Sequence, residues 1–433
     1  MRSHPPLWAR PEVGTLALMR RTSMLFLGAI TYLVAAGCGE GAGGAPDAGG
    51  GGIDAGGRDG GHDGGARDAG PRPDASGGVD AGHDAASSPD TGTSDAGTDA
   101  SASDAGTDAN ADAGPRTAAS CFDGVFATPP VGGPDYDQFH PTIGSHCLGT
   151  NHQDITGVQR VVFLGDSVTV GTPPNLTDQM YRNVLAERLA TRFGLARPVL
   201  DFPLWKQVDI INGVSLRRDA GPFSSCAKWG ARTDDFLPEG ASDTEFQIGD
   251  CFPTDRRDEA TLVIFTMGGN DLAAIQKAGF EHTRTVAELW DDMRAVVQRL
   301  REAVQWLRDP ANFTAPVYVM FGNMYEFTDG TGDVASCPAA DLGGFGGVWD
   351  DPMALHDMVV WAEEQYLAIA VENDVDMIFM LESFCGHGYH SDDPTAPCYR
   401  GPGTPRWFDL SCTHPNPAGH SQIADMFMAV VDE

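Results

Sequence analysis

Positive charge is what this chain has least of: 28 Lys and Arg face 61 Asp and Glu, for a net charge of −33 over 433 residues. So acidic a chain argues against nucleic acid and anionic membrane surfaces as direct partners, and favours a neutral or cationic substrate. Long apolar runs are missing too. The one from Met24 to Val34 is too short for a comfortable membrane span. No two cysteines stand in a Cys-x-x-Cys pair, which weakens the case for a structural zinc site. Between residues 39 and 120 large apolar side chains are almost absent, so that segment cannot bury enough surface to offset its conformational entropy.

What is present at the N-terminus is a targeting signal. Arg20 and Arg21 precede the Met24–Val34 core, and the small residues Ala35-Ala-Gly-Cys38 follow it. The arrangement reads as a secretory signal peptide over residues 1–38, with Met19 as an alternative start. Ala-Gly-Cys38 resembles a bacterial lipobox, with Ala35 where Leu is usual, so Cys38 is the expected lipidation site and plain cleavage the alternative. Residues 39–120 repeat Asp-Ala-Gly, and fourteen Asp with Glu40 against four Arg give −11. This is an acidic, self-repelling tether. Residues 121–433 remain as the folded domain, at −25, with 121–158 an irregular lead-in rich in Gly, Pro and His.

Apart from Cys38, eight cysteines lie in the folded region, an even set that reads as disulfides in an exported protein. Proximity in the chain favours Cys121–Cys147 and Cys226–Cys251. His140, His146, Cys147 and His152 are metal-ligand types, but their spacing matches no standard site, and packing around a disulfide is the expected role.

From residue 160 onward strands and helices alternate. Val161–Leu164 is a continuous apolar run, as a strand covered on both faces requires. Further strands are expected at Pro198–Pro203 (an edge strand), Thr261–Met267, Pro316–Phe321 and Asp376–Leu381. Helices are expected at 178–193, 285–308, 353–372 and 417–431. The helix over 285–308 turns Leu289, Met293, Val296, Val297, Leu300, Val304 and Leu307 inward. The pattern predicts an α/β fold with a mostly parallel sheet, and such sheets hold their ligand crevice at the carboxyl ends of the strands. Ser167, Asn270 and Asn323 all follow strands.

Four blocks carry the chemistry: Gly165-Asp166-Ser167, the Gly of Trp229-Gly230-Ala-Arg-Thr, Met267-Gly-Gly-Asn270-Asp271, and Asp409-Leu-Ser-Cys-Thr-His414-Pro-Asn. In order and residue type they resemble the SGNH (GDSL-type) hydrolase superfamily over about residues 160–431. The resemblance implies a three-layer flavodoxin-like sandwich around a central, mostly parallel five-stranded sheet. It implies hydrolysis of carboxylic esters of carbohydrate, lipid or small-molecule type through an acyl-enzyme on Ser167. His414 would be the base, and the Ser167 N–H, the Gly230 N–H and the Asn270 amide the oxyanion donors, with Gly213 as the alternative to Gly230. A hydroxyl needs such a base to become a nucleophile. No metal and no cofactor is implied.

The chain departs from the family pattern at one position. The Asp usual three residues before the histidine is Ser411 here, so Asp409 becomes the provisional orienting acid, reaching His414 only if the loop is drawn up. Ser411 itself and a backbone carbonyl, which would leave a Ser–His dyad, are the alternatives for orienting His414. A disulfide at Cys412 would fix that loop. Asp166, Asp271 and Asn323 are expected to tie loops and His420 to be structural at a helix N-terminus. His387 and His390, in a Gly-rich, Cys-flanked loop after the last strand, are candidates for the wall of the substrate crevice.

No Gly-x-Ser-x-Gly occurs, which argues against an α/β-hydrolase. A metal-dependent hydrolase built on the His/Cys-rich lead-in and a catalytically weak surface binding module on the same fold are the competing readings. The expected setting is the cell envelope, through a lipid anchor on Cys38, or secretion, for a monomer acting on an ester substrate.

Overall fold

The computed structural model describes residues 116–127, 132–237 and 246–433. The expected signal peptide, Cys38 and nearly all of the acidic tether lie outside the described residues. Among the described residues eight strands form: β1 Arg160–Gly165, β2 Val208–Asp209, β3 Val214–Ser215, β4 Asp219–Ala220, β5 Phe223–Ser225, β6 Thr261–Thr266, β7 Val317–Gly322 and β8 Asp376–Ile378. Six of them make one sheet in the order β4-β5-β1-β6-β7-β8, parallel throughout except for β4, while β2 and β3 pair as a small separate ribbon.

Alternation along the strands explains the layers, because successive side chains point to opposite faces. Val161 and Phe163 pack with residues of the helices Tyr181–Phe193 and Pro417–Asp432, whereas Val162 and Leu164 pack with residues of Val286–Arg308 and Pro352–Glu372. All four are fully buried, each burial contributing about 1.5–3 kcal/mol. The seven-residue inner stripe expected for the long helix is buried throughout.

The sheet has six strands rather than five, and its second parallel strand is not where the sequence pattern placed it. The stretch from Pro198 leads instead into a helix, Asp201–Lys206. Pro203 falls in its first turn, where the missing N–H costs nothing. The strand beside β1 is Phe223–Ser225, three residues long and too short to show a period. β8 also ends early, at Ile378, because Asn323 Oδ1 accepts the N–H groups of Met380 (2.6 Å) and Leu381 (3.1 Å) and starts the helix Met380–Phe384.

The lead-in lies along the outer edge of β8: Thr150 N–H donates to Met377 O and Phe379 N–H to Leu148 O. It thus covers an edge that would otherwise be open to pairing. Disulfides join Cys121–Cys147, Cys226–Cys251, Cys337–Cys412 and Cys385–Cys398, as an extracytoplasmic protein would have them. Among the described residues no helix is long and apolar enough to cross a membrane.

Candidate active site

The site is built at the carboxyl ends of β1 and β6. β1 closes on Gly165 with φ +118°, and a Cβ there would collide with the Thr266 carbonyl oxygen of the neighbouring strand. Only glycine allows both the angle and the approach. Gln247 clamps the same residue, accepting the Gly165 N–H (2.7 Å) and donating to its carbonyl (2.9 Å). Asp166 then caps the short helix Ser167–Val170 by accepting the Val168 N–H at 2.9 Å. This leaves the Ser167 N–H uncommitted among the described residues, as expected of a first helical turn. Burial pushes the Asp166 carboxyl up to about 6.

β6 ends in the same way. Gly268 has φ +115°, with no room for a Cβ beside the Tyr366 hydroxyl, and it opens the helix Gly269–Phe280. Asn270 sits in the first turn of that helix. One of its amide N–H groups donates to Ala231 O at 2.9 Å. Next to it Asp271 accepts the backbone N–H and the hydroxyl of Thr233, both at 3.1 Å, and burial raises its carboxyl to about 7. Two adjacent residues thus bind the Gly230-Ala-Arg-Thr block to the start of this helix.

The third part comes from the far end of the chain. His414 Nε2 lies 2.8 Å from Ser167 Oγ. Its Nδ1 lies 2.8 Å from Ser411 Oγ, and Ser411 Oγ donates to Asp409 Oδ1 at 2.5 Å while the Ser411 N–H donates to the same oxygen at 2.7 Å. The single hydroxyl proton of Ser411 belongs to the carboxylate, which can only accept when ionised. Ser411 Oγ therefore accepts from Nδ1–H, and Nε2 is left as the acceptor for the Ser167 hydroxyl. The Asp409 N–H donates to His414 O at 2.9 Å, but the carboxylate makes no direct hydrogen bond to the imidazole, and Ser411 connects the two side chains. Burial raises the Asp409 carboxyl, opposed by its bonds to Ser411 and by the nearby imidazole. Burial lowers the His414 pKa, and the charge of Asp409 opposes that fall.

Ser167, Asn270, Ser411 and His414 line one cleft of about 180 Å³, with Trp229 and Phe345 in its wall. Gly230 does not line it but stands one residue past Trp229. Gly213 lies in the turn of the β2–β3 ribbon and spends its N–H on Asp209 O at 2.8 Å. Asn323 ties loops, donating to the Tyr136 hydroxyl at 2.8 Å. His420 is fully buried, its Nδ1 accepting the Tyr181 N–H at 3.2 Å, and burial drives its pKa down to about 3. His387 stacks on Trp407 with ring centroids 3.4 Å apart, and burial lowers it to about 4.

The lead-in residues are engaged elsewhere. Cys147 is in a disulfide, His146 Nε2 meets Glu433 at 3.0 Å, and His152 Nδ1 bonds Val375 O at 2.7 Å. Of the three candidates for orienting His414, the structure places Ser411 against the imidazole and Asp409 behind Ser411. Gln247, in a stretch without pattern, escaped the sequence reading and carried no signal at all.

A mostly parallel sheet that brings a serine, a histidine and an asparagine amide together at its carboxyl edge defines a class, the carboxylic ester hydrolases of SGNH type. The GDSL-like lipase/acylhydrolase family matches residues 163–422, and the chain belongs to that family. No protein of curated function matches it in sequence. Among solved structures it is similar to an extracellular lipase from Streptomyces rimosus, at 17% identity and TM-score 0.38 over 63% of this chain and 100% of that one. A phospholipase A1 from Streptomyces albidoflavus matches at 16% and 0.36, over 63% and 99%. A gut microbial diltiazem-metabolizing enzyme matches at 13% and 0.38 over 65% of this chain, which spans about half of that one, 49%.

Proposed function

We propose that the protein is an exported serine esterase that forms an acyl-enzyme on Ser167. The separation of 2.8 Å between Ser167 Oγ and His414 Nε2 carries this reading. In the first step Oγ attacks the ester carbonyl carbon as its proton passes to Nε2. The carbonyl oxygen becomes an oxyanion, held by the Ser167 N–H, the Gly230 N–H and the Asn270 amide, one such donor being worth about 2.7–4 kcal/mol. Collapse breaks the bond to the alcohol oxygen, which leaves with the proton from His414. Water, deprotonated by His414, then releases the acid and restores Ser167. Asp409 acts through Ser411 to hold the imidazole in the required tautomer and to favour its cationic form during each transfer.

Residues 1–38 would direct export and 39–120 would hold the enzyme away from the envelope, with Cys38 as lipid anchor and the protein a monomer on its tether. The test is turnover of p-nitrophenyl acetate by the full chain and by Ser167→Ala, each made in an oxidising compartment. Turnover lost in the variant is the expected result; equal turnover in both overturns the serine mechanism. For export, Cys38→Ser should move the protein from the detergent phase to the aqueous phase on detergent partitioning.

A further inference from the structure

A second cleft of about 900 Å³ adjoins the one that holds Ser167, and the two share Leu272, Glu326, Phe327 and Phe345 in their walls. Phe327 and Phe345 stand edge to face there, with ring centroids 5.7 Å apart. Alone, the serine cleft is smaller than the about 300–1,000 Å³ usual for a ligand pocket; the adjoining one falls within that range. We propose that the second cleft is the subsite for a long, uncharged acyl chain of the ester, which makes the preferred substrates medium- or long-chain acyl esters. This rests on the serine-esterase reading above.

Three observations carry it. The first is continuity, because Leu272, Phe327 and Phe345 belong to both walls, so an acyl chain carried on Ser167 Oγ can run from one cleft into the other along a shared apolar surface. The second is orientation. The leaving oxygen must take its proton from His414 Nε2, so the alcohol lies on the side of the 409–416 loop. No residue of that loop lines the second cleft, and the acyl side is what remains to point into it.

The third is the wall chemistry. Phe122, Phe126, Tyr136, Trp349, Val360 and Leu381 supply an apolar surface contributed partly by the lead-in. The charged residues in that wall are acidic, and no Lys or Arg lines it among the described residues. Asp137 already accepts the Ala118 and Ala119 N–H groups, Glu326 the Thr328 and Gly330 N–H groups, and Glu382 the Asn323 amide. Arg400, whose guanidinium lies over the Phe126 ring, spends its donors on the carbonyls of Glu382, Ser383 and Cys385. An anionic tail would find acidic neighbours and no Lys or Arg to pair with, so the chain must not end in an anion.

The experiment compares p-nitrophenyl acetate, p-nitrophenyl decanoate and the ten-carbon ester ending in a carboxylate, on the full chain. Wild type should give kcat/KM at least about tenfold higher on decanoate than on acetate, and at least about tenfold lower on the carboxylate-ended ester than on decanoate. Val360→Trp, or Val348→Trp where the first does not fold, should cut decanoate at least about tenfold and leave acetate within about twofold. Retained acetate turnover shows that the variant is folded. Acetate turned over with no gain on decanoate, a carboxylate-ended ester accepted as well as decanoate, or a filling variant that changes both esters alike overturns the subsite and leaves the serine mechanism standing. Loss of turnover on every ester in wild type overturns both.

Discussion

Ser167 and His414 meet at one hydrogen bond, yet the two sides of that bond are held by different means. Ser167 stands at the end of a six-residue strand paired on both sides, after a glycine turn and under an Asp166 cap. Behind it Thr169 bonds Tyr181 at 2.6 Å and Thr266 at 2.9 Å in the buried core. His414 lies in an irregular loop fastened by residues remote in the chain. Cys412 is tied to Cys337, the Tyr389 hydroxyl donates to Asp409 O at 2.7 Å, and the Tyr325 hydroxyl donates to Thr413 O at 2.8 Å. Ser167 therefore shares the stability of the whole sheet, whereas His414 depends on a few separable links. Damage on the first side should be all or none, and on the second graded.

The largest effect is expected from Ser167→Ala, which should lower kcat at least ~10⁴-fold with little change in melting temperature; an equal loss of stability would contradict a role confined to chemistry. Next comes the disulfide. Replacing Cys337 and Cys412 by Ser should cost about 2–5 kcal/mol in denaturant unfolding. It should also lower kcat in the fraction that remains folded, because the His414 loop loses its fastening. Unchanged kcat in folded protein would mean that the hydrogen bonds suffice.

Smaller and more informative are Asp409→Asn and Ser411→Ala, each expected to lower kcat about 10–100-fold, short of the ~10⁴ seen where an acid touches the histidine directly. The pH profile separates positioning from damage. The acid limb of kcat/KM should lie below pH 6.5, since burial lowers the His414 pKa. Asp409→Asn should move it lower still, because the charge that opposes the fall has gone. A loss under about tenfold with an unmoved limb would favour a plain Ser–His dyad.

The smallest effect at neutral pH concerns His420. Its folded pKa of about 3 lies below the ordinary 6.5, so above pH 6.5 it is neutral in both states. As the pH falls from 6.5 toward 3 the unfolded chain takes a proton that the folded chain refuses, and stability is lost. His420→Asn, which keeps an acceptor for the Tyr181 N–H, should flatten that decline in thermal melts; parallel declines would rule His420 out as its source.

Legibility followed the same division. Ser167 and Asn270 could be read because a strand, a glycine turn and a helix start are written in consecutive residues, and His414 because Pro-Asn and a terminal helix follow it directly. The stripe from Leu289 to Leu307 announced its own helix. Phe223–Ser225 could not be read, since three residues have no period, and the prolines at 198 and 203 pointed to an edge strand where a helix formed. Gln247 acts on a glycine 82 residues away, and nothing in its neighbours points there.

By itself, then, the sequence determined the alternating α/β plan, the acidic surface, the two proximal disulfides and the candidates proposed as nucleophile, amide and base, all properties of residues close together in the chain. The tertiary structure decided which strand lies beside β1, that Cys337 is the partner of Cys412, that Ser411 stands between Asp409 and His414, and that a second cleft opens next to the first. Those are choices among partners far apart in sequence. They are made by packing and by the hydrogen-bonding demands of buried groups, which no local pattern records.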